Sequence, residues 1–103
     1  MISVQLKMID EGISADLDEL SQYMASQLSE DSISISENAD LTLKVKFLTD
    51  NAQEKVLIQL RETASKVRLG QKVIHYIEDS WKEDVTSEAH ALVANLVHEG
   101  QEA

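Results

Sequence analysis

The chain has 103 residues, 43% apolar and 27% charged, with 19 acidic residues against 9 basic ones and a formal net charge of -10. This composition fits one folded domain, read as 1–99 with a frayed tail at 100–103, and is that of a globular rather than a disordered chain. Cysteine and proline are both absent, which excludes disulfides, thiolate metal sites, a cysteine nucleophile and proline-rich docking.

Ile2, Val4, Leu6 and Met8 alternate with Ser3, Gln5 and Lys7, the period-two signature of a half-buried strand. The "DEG" at 10–12 ends it. Ile13, Leu17, Leu20, Met24 and Leu28 then recur at three- and four-residue spacing, predicting an amphipathic helix from about Ser14 to Ser29. Ser14 suits the N-cap, and Asp16, Asp18 and Glu19 fall where the helix dipole favours negative charge. A polar connection follows, in which Ile33 and Ile35 have the spacing of a short strand. Leu41, Leu43, Val45 and Phe47 alternate with Thr42, Lys44 and Lys46, and "TDNAQ" turns the chain. In the next strand Val56, Ile58 and Leu60 face one way and Lys55, Leu57, Gln59 and Arg61 the other. "KVRLGQKVIHYIED" reads as one more strand, with Gly70 a bulge or break, or alternatively as the turn of a longer hairpin. The closing helix opens on "SWKE", the spacing of a capping box between Ser80 and Glu83. Trp81, Val85, Ala89, Leu92 and Leu96 form its apolar stripe, broadened by Val93 and Val97, and Gly100 suits its C-terminus.

The expected architecture is an α+β two-layer sandwich, β-α-β-β-β-α, with both helices on one face of a four-stranded sheet. Ile2, Val4, Leu6, Leu43, Val45, Phe47, Val56, Ile58, Leu60, Val67 and Leu69 are the expected inward set. The opposite face then collects Lys7, Lys44, Lys46, Lys55, Arg61, Lys66 and Arg68, and Lys72 can join them at its rim. The charge is segregated: residues 10–40 hold nine acidic residues and no basic one, whereas residues 44–72 hold seven basic and three acidic. An average of -10 opposes approach to nucleic acid or anionic membrane, but a dipolar molecule presents a local cationic face.

That face has three readings. Lysine and arginine stems shield an open sheet and discourage edge pairing, with acidic helices serving solubility. Alternatively, an anionic partner binds there; Arg61 and Arg68 would make bidentate phosphate contacts, Lys44 and Lys46 would act as point charges, and Lys7 and Lys55 would add to the field. In the third reading the acidic helices of one copy dock on the basic face of another, giving a homodimer. A contrary class is an adaptor, secretion-type chaperone or inhibitor that binds a basic protein through Asp16, Asp18, Glu19, Glu83, Asp84 and Glu88.

The organisation resembles that of the ribosome hibernation factor family. "ISVQLKMIDEGISADLDELSQYMASQL" is similar to that family's first strand and helix, and "WKEDVTSEAHALVANLV" to its acidic lead-in and final helix, with Glu83 and Asp84 at the matching step. The resemblance implies a regulatory module with ribosomal RNA as partner. Double-stranded-RNA-binding domains and small envelope domains share related element orders, so order alone leaves the function open.

No reaction is written in the chain. His90 and His98 lie roughly 80° apart around a helix and roughly 12 Å along it, which is no shared metal site, and His75 suits a packed or surface role. Asp16/Asp18, Glu78/Asp79 and Glu83/Asp84 are neighbours at helix starts or loops, where capping explains them. Three glycines cannot assemble a P-loop or dinucleotide fingerprint, and no Gly-x-Ser-x-Gly elbow is present. Trp81 on the apolar stripe is read as core. A non-enzymatic protein without cofactor or metal is expected. No apolar run approaches the ~20 residues that span a bilayer, and "MISVQLKMID" is too short and too alternating for a secretory signal. A cytoplasmic protein with no membrane partner is the expectation.

Overall fold

A computed structural model of the chain describes residues 2–102, with side chains described through Leu96. Its elements run β1 (Ile2–Glu11), α1 (Leu17–Ser29), β2 (Ile33–Ile35), β3 (Leu41–Asp50), β4 (Gln53–Glu62), β5 (Arg68–His75) and α2 (Trp81–Glu102). The α+β class holds, but the sheet has five strands in the order β2-β1-β3-β4-β5. The extra strand is the short Ile33–Ile35 segment. It pairs parallel with β1, Ile2 opposite Ile33 and Val4 opposite Ile35. β1 and β3 are also parallel, whereas β3, β4 and β5 form an antiparallel meander.

Alternation decides what is buried. Val4, Leu43, Val45, Phe47, Val56, Ile58 and Leu60 turn to the helix side and are buried against Leu20, Met24 and Leu28 of α1 and Trp81, Val85, Ala89 and Val93 of α2. Leu6, Met8, Ile74, Leu92 and Leu96 pack around them. Trp81 is core, as its stripe predicts. Its ring meets Phe47 edge-on at 5.5 Å and Tyr76 at 5.7 Å, so three of the four aromatics form one cluster. The side chains of Val97 and of the residues after it, His98 included, are outside what is described.

Four expectations change. Val67 and Leu69 are 55% and 40% exposed rather than inward. Leu60 opposes Gly70 but Arg61 opposes Arg68, so Leu69 is the extra residue of a β-bulge and the parity of β5 slips there. Gly70 itself stays in the ladder, where a Cβ would lie 3.0 Å from Leu92 Cδ2, which makes it the place where α2 comes closest to β5. The same slip puts Lys72 opposite inward-facing Ile58, so it belongs to the helix side and not to the open face. At the far end α2 continues through Gly100 to Glu102, over the positions read as a tail.

Both helix starts also differ. The Asp10 carboxylate accepts hydrogen bonds from Ile13 N (2.9 Å) and Ala15 N (2.6 Å), holding residues 12–15 in a turn with Ser14 at φ 61°. α1 therefore begins later, with Asp16 rather than Ser14 as N-cap, accepting from Glu19 N at 3.0 Å. At α2 the Ser80 hydroxyl donates to Asp84 Oδ2 (2.8 Å), in place of the expected reciprocal pair with Glu83. Burial pushes the Asp10 carboxyl up, but hydrogen bonds from the amides of Ile13, Ala15, Ser14 and Gly12 outweigh it and hold the group below its ordinary 3.8. A depressed folded pKa contributes stability above the unfolded value, and that stability is lost as pH falls through the folded value. Asp10→Ala is expected to cost about 1–3 kcal/mol at neutral pH, with the gap from wild type closing in urea titrations below pH 3.8.

The β3–β4 hairpin closes through Asn51 and Ala52, both at positive φ (51° and 64°). This is the two-residue turn that matches strand twist, and glycine normally takes its second position. Ala52→Gly removes the left-handed strain of an L-residue at some cost in chain entropy. It is expected to stabilise by about 0.5–1 kcal/mol, read as a rise in melting temperature.

Candidate functional site

The open face of the sheet is the side without helices. Register places its residues in rows across β1, β3, β4 and β5: Gln5, Thr42, Arg61, Arg68; then Lys7, Lys44, Gln59, Gln71; then Ile9, Lys46, Leu57, Val73; then Glu11, Leu48, Lys55, His75. Six of the seven cations expected on this face are there; Lys66 instead lies in the turn before β5, at φ 62°. Backbone register brings the six together because each occupies the outward parity of its strand.

They are not equivalent. Lys46 Nζ pairs with Glu11 Oε1 at 3.4 Å and Lys55 Nζ with Asp50 Oδ2 at 3.7 Å, so the chain's own carboxylates neutralise that end. Among the described residues Lys7, Lys44, Arg61 and Arg68 form no ion pair. Lys7 and Lys44 stand directly opposite each other on parallel strands, a like-charge arrangement that costs stability. Burial, and then the neighbouring charges of Arg61, Lys46 and Lys7, pull the Lys44 ammonium below its usual 10.5, with only Glu11 acting the other way.

Neutral side chains organise this end. Gln59 is buried although it is on the open face. It accepts from Arg61 Nη2 (2.7 Å) and donates to Gln71 Oε1 (2.8 Å), which also accepts from Arg68 Nη1 (2.9 Å). The two arginines are thereby linked through two amides, while Arg61 Nε is buried with no partner among the described residues. Thr42 and Thr63 share a hydroxyl hydrogen bond of 2.8 Å, and Thr63 also donates to Ala39 O at 3.0 Å. Between them lies a shallow depression of about 360 Å³ whose charged lining is Lys7, Lys44, Arg61, Lys66 and one carboxylate, Glu62. The contribution of Thr42, Thr63 and Gln59 was not legible in the sequence. The outward parity of Thr42 and Gln59 was visible, but the hydrogen bonds depend on which strands are neighbours.

The acidic set is partly consumed by structure. Asp16 caps α1, Asp84 accepts from Ser80, and Glu19 Oε1 takes Lys82 Nζ at 2.7 Å, tying α1 to α2. Asp18 and Glu83 are exposed, and Glu88 is half-buried. His90 Nε2 lies 3.5 Å from Asp31 Oδ2, and among the described residues no group of three or more metal-ligating side chains comes together. Among the described residues no helix is long and apolar enough to cross a membrane.

No protein-family model matches the chain, and no curated protein matches it in sequence. A solved structure from Xanthomonas campestris, of the family model DUF330, is similar at a TM-score of 0.61 and 11% identity, covering 98% of this chain and 86% of that one. The fold is shared. At that identity nothing beyond the fold passes from one to the other. Lipoprotein GNA1162 of Neisseria meningitidis scores 0.47 at 11% identity, covering 95% of this chain and 97% of its own. Rare lipoprotein B of Shewanella oneidensis scores 0.40 at 10% identity, again covering 95% and 97%. Both likenesses are too slight to bear on what this domain does.

Proposed function

We propose that this domain is a non-enzymatic binding module whose cationic sheet end takes a phosphate-bearing partner, structured RNA of the kind that ribosomes expose. One observation carries the reading: among the described residues Lys7, Lys44 and Arg61 are held together without ion pairs, in a chain of net charge -10. Self-repulsion of that kind is unfavourable in the free domain and is relieved when an anion arrives. Solvation of the sheet alone would be served equally well by threonine or glutamine at Lys44, without the repulsion. The acidic-helix alternative draws less support, since Asp16, Glu19 and Asp84 already serve capping and pairing. A cytoplasmic location and the absence of a cofactor belong to this reading.

The test is binding to a short RNA duplex by fluorescence anisotropy, with ribosome co-sedimentation in parallel, at low and moderate salt. About three neutralised phosphates predict a log–log salt slope of roughly -2 to -3. If the folded domain binds neither target at low salt, the proposal fails. Binding that ignores salt would transfer the role to another surface.

A further inference from the structure

Two stretches of strand edge have no strand neighbour, one on β1 beyond the end of β2 and one on β5. Ile2 N donates to Ser32 O (3.1 Å) and Val4 O accepts from Ser36 N (2.9 Å), so the even-numbered residues of β1 turn their backbone groups toward β2. β2 ends at Ile35, opposite Val4, while β1 continues to Glu11. Strand alternation therefore aims the N–H and C=O groups of Leu6 and Met8 at a side where no strand lies. A groove of about 680 Å³ runs beside them, with Leu6, Met8, Leu17 and Ile35 as its apolar lining. Its two charged lining residues, Asp18 and Glu37, are both acidic.

β5 forms the opposite edge. Tyr76 N donates to Glu54 O at 2.9 Å, which makes Glu54–Tyr76 a hydrogen-bonded pair. By alternation Val56–Ile74 and Ile58–Lys72 are bonded pairs too, and Gln71, Val73 and His75 turn their backbone groups outward. Val73 is 50% exposed. Residues 63–77 carry Lys66, Arg68 and Lys72 and no carboxylate. β5 has the same direction as β1, because β1 is parallel to β3 and two antiparallel steps separate β3 from β5.

We propose that copies of this chain associate head to tail, β5 of one copy adding to the free edge of β1 in the next and continuing the sheet. With the helix layers on the same side, Lys72 of the incoming copy, which is on the helix side of its own sheet, approaches the Asp18 rim of the groove. Pairing of β5 with β5 would instead gather Arg68 and Lys72 of both copies along one seam. Such an edge-to-edge contact uses two different patches, so each copy keeps one of each and the assembly grows or closes into a ring. The open sheet face is left uncovered, so this association stands independently of the RNA proposal.

Sedimentation at moderate salt across a wide concentration range tests it. The weight-average mass of the wild type should rise with concentration beyond that of a dimer. Asp18→Lys and Lys72→Asp should each weaken association by about tenfold or more, and the double variant should restore it. Val73→Pro removes an outward N–H without touching the β4 ladder, and should leave a folded monomer by circular dichroism and mass. A wild type that stays monomeric at every concentration overturns the proposal. So does a mass that saturates at a dimer and is indifferent to Asp18→Lys, or a double variant no better than the singles.

Discussion

Trp81→Ala is expected to lower the stability of the domain by about 3–5 kcal/mol. The indole is 93% buried in effect, with a relative exposure of 7%, and it closes the end of the core where α2 begins. Its removal opens a cavity against Phe47 on β3 and Tyr76 after β5, and it ends the edge-on contact at 5.5 Å. Those neighbours are fixed by the ladder and cannot collapse far into the space, which is the condition for a large penalty. Against a total stability of about 5–15 kcal/mol, such a loss approaches the unfolding threshold at physiological temperature. Urea unfolding followed by far-ultraviolet circular dichroism measures it, since Trp81 is the sole tryptophan and takes its own fluorescence with it. A change below about 1 kcal/mol would place the ring at a yielding surface rather than in a rigid core.

Charge reversal at Lys7, Lys44 and Arg61 is expected to weaken RNA binding on the order of 100-fold at low salt, taking about 1 kcal/mol per lost phosphate contact. The salt slope should flatten by about one for each cation removed. The sign of the effect on stability distinguishes a binding face from a merely solvated one. Lys44→Thr should stabilise the free domain, by about 0.2–1 kcal/mol, while weakening RNA binding; threonine suits the strand and ends the repulsion from Lys7 and Arg61. Salt and inorganic phosphate should stabilise the wild type more than this variant. The pH dependence follows from the depressed Lys44 pKa: just below 10.5 the unfolded chain binds the proton that the folded one has released, so stability rises with pH there. Lys44→Thr should lose that rise. A variant that is less stable than wild type, or binds RNA equally well, would return these lysines to the role of sheet cover.

Alternation along the chain makes most of this architecture legible in the sequence. The inward sets of β1, β3 and β4, the stripe of α2 and the outward cations all follow from periods of two and 3.6 read along the chain. The failures share one cause: they depend on contacts between residues remote in sequence or on backbone geometry. The bulge at Leu69 arises where β5 meets β4, and it alone reverses the parity expected of Leu69 and Lys72. Ser14 has the composition of an N-cap, yet Asp10 captures the amides of that turn and moves the cap to Asp16. Lys46 meets Glu11 only because β1 and β3 are neighbours, a juxtaposition no local pattern encodes, whereas Asp50 and Lys55 flank the same β3–β4 turn. For the same reason the candidate site contracted to Lys7, Lys44 and Arg61, with Arg68 linked through the glutamines.

β1 lies between two strands that both come later in the chain, with Val4 paired to Ile35 on one side and Leu41 on the other. The β3–β4–β5 meander, by contrast, joins neighbours through short turns and needs little loop closure. The order of assembly should therefore run against the order of the sequence, with the meander and α2 forming first and β1 entering last to zip the mixed half of the sheet. Val4→Ala should then mainly accelerate unfolding, whereas Ile58→Val should mainly slow folding, as separate limbs of a denaturant chevron would show. The opposite pattern would mean that β1 belongs to the nucleus. During synthesis the strand that emerges earliest would wait longest for its partners, with Ile2, Val4, Leu6 and Met8 exposed meanwhile.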